Sequence, residues 1–312
     1  MKGGHIITIA AIANPYAGRG RNRKFAEQLH RRATELGLPM ELHWTKGAGD
    51  GIDLAKKLSR SHDVICAIGG DGTFHEVING LMPQPKPVVL VPAGSGNDFA
   101  KLIPCPKNAE ELLTVVHAGM GARMDVLQTG VRYCVNSIGL GFEALVTHHS
   151  RSIRRLSGVP LYLLAAFRAL LSFQNASFNI SLDNCKQVSG ERLLVSIGNG
   201  ISAGGGFYLT PQACPDNGCV DLCIVSPMSR MKLLRLLPLA LHGNHVGKTG
   251  VAMHRSKSVT VSSDGPSHLH IDGEYLGEKE WNLDVTVLKQ ILPVLCLTQG
   301  SRKTQGDLEK LL

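Results

Sequence analysis

Residues 68–80 read IGGDGTFHEVING, an apolar run that stops at two glycines, an aspartate, a third glycine and a threonine. A glycine-rich turn lets backbone N–H groups converge on an anion, because no Cβ blocks the approach. A carboxylate among those glycines would repel a bare anion. The combination points to a phosphate-bearing ligand whose charge a metal ion offsets, or to an aspartate that takes a proton from a nucleophile beside the phosphate.

Outward from this turn, apolar runs alternate with amphipathic stretches. Strands are expected at 6–13, 40–44, 64–68 and 88–91, and helices at 24–36, 51–60 and 74–82. Near-continuous Val/Ile/Ala strands alternating with helices argue for a parallel sheet covered on both faces. Ligands of such sheets bind beyond the carboxyl ends of the strands. Three loops fall there: NPYAGRGRNRK at 14–24, GGDGT at 69–73 and PAGSGND at 92–98. The first mixes Gly18 and Gly20 with Arg19, Arg21, Arg23 and Lys24 just before a helix, which suits a polyphosphate. The third brings Ser95, Asn97 and Asp98, residues equally at home as helix caps.

Beyond Asp125 the pattern becomes β-rich, with strands expected at 133–138, 178–182, 193–197, 220–225, 258–261, 268–271 and 283–288, and helices at 160–173 and 231–242. The expected fold is therefore α/β. Residues 1–126 form a parallel-sheet nucleotide-binding domain and 127–289 a mostly antiparallel β-sandwich domain, with the segment at about 290–312 packing back on the first.

Composition narrows the function classes. A chain of 312 residues with 43% hydrophobic and 19% charged residues is a globular protein of about two domains. Its opening residues fit a first buried strand better than a leader, and the apolar run at 161–173 is too short to span a bilayer and contains Arg168. The eight cysteines lie mostly in apolar runs, as reduced core thiols do, which favours a cytoplasmic protein. Cys214, Cys219 and Cys223 lack the close pairs and fourth ligand of a zinc site. The net charge of +8 favours anionic partners, but only 5% of residues are aromatic, so a base-stacking nucleic-acid surface is unsupported. There is no Walker A loop, since GNHVGKT at 243–249 is one residue short between its glycines, and no G-x-G-x-x-G turn.

Two motifs of the second half carry oxygen and nitrogen ligands. PDNG at 215–218 offers Asp216 and Asn217, hard donors suited to Mg²⁺, although the same four residues also make a good turn. SHLHIDGEYLG at 267–277 places His268, His270, Asp272 and Glu274 at alternate positions, on one strand face if the strand runs straight. Gly273 is expected to bend it, which leaves the two histidines as exposed strand residues.

In order, NPYAGRG, GGDGTFHEVINGL, PAGSGNDFA, GGGFYLTPQACPDNG and IDGE resemble the diacylglycerol kinase catalytic-domain family, whose relatives include sphingosine and ceramide kinases. GGDGT alone is shared with NAD kinases; its pairing with PAGSGNDFA and the late IDGE narrows the likeness to lipid kinases. The resemblance implies ATP and Mg²⁺ as cofactors. It places ATP on Asn14, Thr45, Gly69, Gly70, Asp71, Gly72, Thr73, Glu76, Ser95 and Asn97, with Asp98 and Asp125 as supporting carboxylates. It makes Glu274 the acceptor of the lipid hydroxyl proton and Asp71 its electrostatic partner. Relatives commonly have two aspartates before the glycine at a second-domain Mg²⁺ site; here Asp216 is followed by Asn217, to be helped by the carbonyls of Cys214 and Cys219.

The implied activity is transfer of the γ-phosphate of ATP to diacylglycerol or a related glycerolipid. The alternatives are a soluble-substrate kinase of the NAD kinase type and a weakly catalytic nucleotide-binding regulator at the membrane. The implied partners are a lipid substrate and an anionic membrane, met weakly and peripherally at its inner face, with no nucleic acid and a homodimer left open. The basic, apolar segments at 151–173 and 230–243 are the membrane candidates, and core-packing helices are the other reading of both.

Overall fold

The computed structural model describes residues 7–94, 96–153 and 155–297. Ser95, Arg154 and the segment from 298 onward lie outside the described residues. The chain divides into two compact units, one built from residues 7–124 and 290–297 and the other from Asp125–Lys289.

The first unit is a parallel sheet. Strands β1 (Ile9–Ala13), β2 (Met40–Trp44), β3 (Val64–Gly69) and β4 (Val88–Pro92) alternate with helices α1 (Arg21–Glu35), α2 (Asp50–Leu58) and α3 (Asp71–Leu81), and α4 (Ala109–Ala118) follows. β1 lies between β2 and β3, β4 pairs with β3, and Val294 and Leu295 pair in parallel with Val88 and Val89. Every residue of β1 and β3 is buried, as strands covered on both faces require. On one face Ala26, Leu29, Leu112 and Val115 of α1 and α4 meet Ile9, Cys66, Val89 and Leu295. Burial pushes the Cys66 thiol up to about 12, and all eight cysteines are free thiols.

The second unit is an antiparallel sandwich with helices on one side. Its strands are β5 (Gly121–Thr129), which enters from the first unit, β6 (Arg132–Cys134), β7 (Ser137–Gly141), β8 (Ala176–Leu182), β9 (Lys186–Arg192), β10 (Leu194–Gly198), β11 (Val220–Val225), β12 (Val251–Ser256), β13 (Ser258–Asp264), β14 (Ser267–Ile271), β15 (Glu274–Lys279) and β16 (Asn282–Leu295). One sheet runs β12-β11-β10-β7-β14-β15; in the other β13 pairs with β16 and β8, and β8 with β9. Ile138, Val195, Leu222 and Leu269 of the first sheet share a core with Phe178, Ile180, Val259 and Val285 of the second. Helices α5 (Phe142–Ser150), α6 (Val159–Ser172) and α7 (Arg230–Ala240) form a further cluster with Leu194, Cys223 and Val225 of the six-stranded sheet.

The expected α/β class and its two sheet types are those observed. Helix α3 starts at Asp71, three residues earlier than the apolar pattern predicts, because the extended Gly70 serves as its cap without a side chain. The sequence reading missed α4, α5, β5, β9, β12 and β15. β9 (KQVSGER) and β15 (EYLGEK) are sheet edges with few buried residues, so no alternating pattern announces them. The nine-residue α5 follows Gly141 directly and has no capping side chain.

Gly80 is where α2 and α3 pack closest: a Cβ there would strike the Ile52 carbonyl oxygen and lie 2.9 Å from the Ala55 Cβ. Helix propensity alone favours alanine by about 1 kcal/mol. Gly80→Ala should nevertheless lower stability in urea by about 1–3 kcal/mol, because overpacking outweighs propensity. An unchanged or raised midpoint would show that the two helices separate freely.

Candidate active site

The turns at the carboxyl ends of β1, β3 and β4 meet through their glycines. Gly70 and Gly94 approach backbone to backbone, so that a Cβ on Gly70 would lie 3.0 Å from the Gly94 Cα. Gly18, at φ +58°, closes from the β1 side, where a Cβ would lie 2.8 Å from the Ala93 carbonyl oxygen. Asn97, also left-handed at φ 49°, accepts at Oδ1 from the Gly94 N–H at 3.0 Å and donates from Nδ2 to the Gly94 carbonyl at 3.2 Å. A Cβ on Gly69 would strike the Thr73 side chain. These positions therefore present backbone, and α3 begins among them with Asp71 at its first position, where a helix N-terminus favours negative charge.

The side chains predicted for this site are held individually. Asp71 Oδ1 accepts the Phe99 N–H at 3.1 Å, and Phe74 packs on Phe99 at 4.4 Å between ring centroids. Asn14 Oδ1 caps its own turn by accepting the Tyr16 N–H at 2.9 Å, and buried Thr45 continues the ladder through its N–H to Ala13. Both Glu76 oxygens accept backbone N–H groups, Gly49 at 2.8 Å and Gly51 at 3.0 Å, so this carboxylate fixes the entry to α2. Asp98 is buried and paired with Lys101 at 2.6 Å. Gly72 is exposed at the first turn of α3, and Ser95 lies outside the described residues.

In the second unit the IDGE motif is a tight hairpin. β14 ends at Ile271, Asp272 and Gly273 take φ values of 48° and 80°, and β15 starts at Glu274, as a two-residue primed turn requires. The register also shifts between Leu269 and His270, so the four alternating residues do not share one face. Asp272 points inward. Its carboxylate accepts the N–H groups of Val135, Asn136 and Ser137 at 2.9, 2.8 and 3.0 Å and the Cys134 thiol at 3.0 Å. Burial and then the charge of Asp272 push that thiol well above its ordinary range, which keeps it a donor.

His270 is buried as well, which corrects the reading of it as an exposed strand residue. Its Nδ1 accepts the Gly273 N–H at 3.3 Å, which leaves Nε2 to donate to Glu143 Oε1 at 3.1 Å. Only glycine fits at Gly139, since a Cβ there would fall on both partners. Glu274 lies past this turn, half-exposed, with Arg132 Nη1 3.6 Å from Oε2.

The turn predicted to hold Mg²⁺ is closed by its own hydrogen bonds. Gly218 N–H donates to Asp125 Oδ2 at 2.6 Å, Cys219 N–H to Asn217 Oδ1 at 2.8 Å, and the Cys214 thiol to Asp216 Oδ1 at 2.9 Å. The carbonyl of Cys214 accepts the Asn217 N–H at 3.4 Å. Asp216 Oδ1, Asn217 Oδ1 and the carbonyl of Cys214 are thus each engaged by a protein donor. Asp125, 1% exposed, is the anchor of that turn.

Asn22, Asn136 and Glu143 are positioning groups that escaped the sequence reading. Asn22 is 1% exposed and donates from Nδ2 to the carbonyls of Asn14 and Ile68, tying the first loop to the end of β3; a lone amide among arginines was its signal. Asn136 donates from Nδ2 to the Ser202 carbonyl, and Asn199 from Nδ2 to the carbonyls of Asp125 and Val135. Glu143 was visible only as one acid in the apolar run 137–146.

Comparison with known proteins gives the chain two matching family models: "Diacylglycerol kinase catalytic domain" over residues 8–129 and "YegS C-terminal NAD kinase beta sandwich-like domain" over 136–296. A diacylglycerol kinase of Bacillus subtilis (strain 168) is 31% identical over 274 residues, covering 85% of this chain and 89% of that protein. Among solved structures, a diacylglycerol kinase from Bacillus anthracis superposes with a TM-score of 0.69 at 18% identity, covering 94% of this chain and 98% of the other. A yeast NADH kinase complexed with NADH reaches 0.50 at 13% identity, over 99% of this chain and 87% of the other. At these identities the two structures speak to fold.

The Asp272 carboxylate holds three backbone N–H groups that burial leaves with no substitute. Asp272→Asn removes the charge and turns an amide donor toward donors, so urea unfolding should show a loss of about 2–3 kcal/mol. An unchanged stability would mean that water or a shifted backbone replaces the carboxylate.

Proposed function

We propose that this chain, which belongs to the diacylglycerol kinase family, transfers the γ-phosphate of ATP to the hydroxyl of diacylglycerol or a related glycerolipid. The observation that carries the reading is the meeting of Gly18, Gly70 and Gly94 at the carboxyl ends of their strands, with Asp71 opening α3 beside them. Backbone N–H groups and a helix N-terminus suit a polyphosphate, and little covalent chemistry is asked of a protein that moves a phosphoryl group. Mg²⁺ enters with ATP as part of the substrate, where it neutralises charge on the phosphates.

Asp71 has the place of a carboxylate facing that complex, fixed in direction by the Phe99 N–H. Asn14, Thr45 and Asn97 hold the flanking turns, and Glu76 acts indirectly through the Gly49–Gly51 backbone. Glu274 takes the proton of the attacking hydroxyl. A half-exposed carboxylate on a turn locked by Asp272 and His270 can accept a proton without moving its backbone.

Label from γ-phosphate-labelled ATP, offered to diacylglycerol, phosphatidylglycerol, monoacylglycerol, sphingosine, ceramide and NAD, should appear on one glycerolipid. Glu274→Gln should lower kcat by about a hundredfold or more, with KM for ATP little changed, and Asp71→Asn should abolish transfer. Label on NAD alone would establish the soluble-substrate reading instead. A Glu274→Gln enzyme of normal kcat would remove Glu274 as the base.

A further inference from the structure

We infer that Cys214 and Cys219 form a reversible thiol–disulfide site at the two ends of the turn PDNG. Five of the eight cysteines are buried, whereas Cys185, Cys214 and Cys219 reach the surface. The last two bracket four residues in the segment CPDNGC. Zinc does not account for them, since no cluster of three His, Cys, Asp or Glu side chains that could hold a metal is found among the described residues. Two accessible thiols brought to one turn are instead the material of a disulfide.

The loop is clasped at its base, its middle and its tip. At the base, Arg255 Nη2 donates to the Gln212 carbonyl at 3.0 Å and to Asp221 Oδ1 at 3.0 Å. A single guanidinium thus gathers the residues two before Cys214 and two after Cys219. It is held above its ordinary value first by Asp221 and then by Cys219 and Cys214, as follows if both sulfurs lie near it. In the middle, Asn217 is bonded to the backbone of both cysteines. Its N–H donates to the Cys214 carbonyl at 3.4 Å, closing a β-turn, and its Oδ1 accepts the Cys219 N–H at 2.8 Å. At the tip, Asp125 accepts the Gly218 N–H and donates its own N–H to the Pro215 carbonyl. A disulfide asks for Cα atoms within about 7 Å of each other, and a loop held in this way brings its two flanking residues into that range.

The oxidant is a small disulfide such as glutathione disulfide, which can reach these sulfurs without any opening of the fold, since Cys214 is exposed and Cys219 partly so. Two S–H bonds break and one S–S bond forms between Cys214 and Cys219. The two electrons and both protons pass to the oxidant, which leaves as two thiols. In the reduced form the Cys214 thiol donates to Asp216 Oδ1 at 2.9 Å. Oxidation withdraws that donor and bridges the two arms of the turn that holds Asp125. In a reducing compartment such a bond is transient, which suits a sensing role rather than a structural one.

The test equilibrates the full chain with mixtures of reduced and oxidised glutathione, quenches by alkylation under denaturing conditions and locates the products by mass spectrometry. Fragmentation of the tryptic peptide 193–230 should place a bond between Cys214 and Cys219 and leave Cys223 alkylated. Forming an internal disulfide releases two glutathione molecules. Diluting the buffer about tenfold at a fixed ratio of its two forms should therefore raise the ratio of disulfide to dithiol about tenfold. Cys185, in the turn between β8 and β9, is the comparison: it should carry a single glutathione, in a proportion that dilution leaves unchanged. Cys214→Ser should leave glutathione on Cys219 with no response to dilution, and Cys219→Ser should do the same for Cys214. The native measurement needs no variant, so it decides the matter even where a serine impairs folding. Glutathione held separately on Cys214 or Cys219 of the native protein overturns the proposal. So does a bond from either to Cys223 or to a second chain, or a pair that stays reduced where Cys185 reacts. The measurement uses neither ATP nor lipid, so its outcome is independent of the lipid-kinase reading.

Discussion

The contact on which the first unit's site depends is one between two backbones, Gly70 against Gly94. Any side chain at either position would hold the turns after β3 and β4 apart. Without one, the Ala93 N–H reaches the Gly69 carbonyl at 2.7 Å, and the sheet's hydrogen bonding continues into the turns. Asn97 then pins Gly94 at both its N–H and its carbonyl, and Asn22 ties the β1 turn to the Ile68 carbonyl near the end of β3. Polar backbone is thus concentrated where the strands end and α3 begins, a place where an anion can be held by groups that are already fixed. Asp71 is the exception within this frame, which is why its charge asks for a chemical explanation.

The second unit reaches fixed geometry by the opposite route, with side chains organising backbone. One carboxylate, Asp272, collects three consecutive N–H groups between β6 and β7. One imidazole, His270, receives the Gly273 N–H and is oriented in turn by Glu143. The cost of burying an acid and a histidine is met because each has a defined partner, and Gly139 leaves the room they need. Glu274 carries no such load. It is the one acid of the motif that faces outward, on a turn whose backbone the other residues already fix.

The parallel half of the fold could be read from the sequence because strands buried on both faces are written as unbroken apolar runs, such as IAAIA and VICAIG. Edge strands are not, and β9 and β15 were invisible for that reason. Glycine clusters announced the phosphate-type turns because a side chain is excluded there whatever the rest of the chain does. Long-range polar partnerships left no such mark. Nothing near Glu143 in sequence points to His270, 127 residues away, and the Asp216 turn read as a metal site because its closing partner, Asp125, lies 93 residues upstream. Spacing locates donors within one loop; it does not reveal that another strand already satisfies them.

The distribution of exposed apolar surface bears on which kind of alcohol such an enzyme would accept. The fold is shared with a nucleotide kinase, so neither the parallel sheet nor the sandwich can by itself select a lipid. What could select it must be additional to the two cores. Helices α5, α6 and α7 are the additional elements of the second unit, since the sandwich core closes without them. Of these, α6 and α7 keep leucine and phenylalanine in water beside arginine and carry no acid. A soluble enzyme acting on a soluble substrate gains nothing from that arrangement and risks self-association through it.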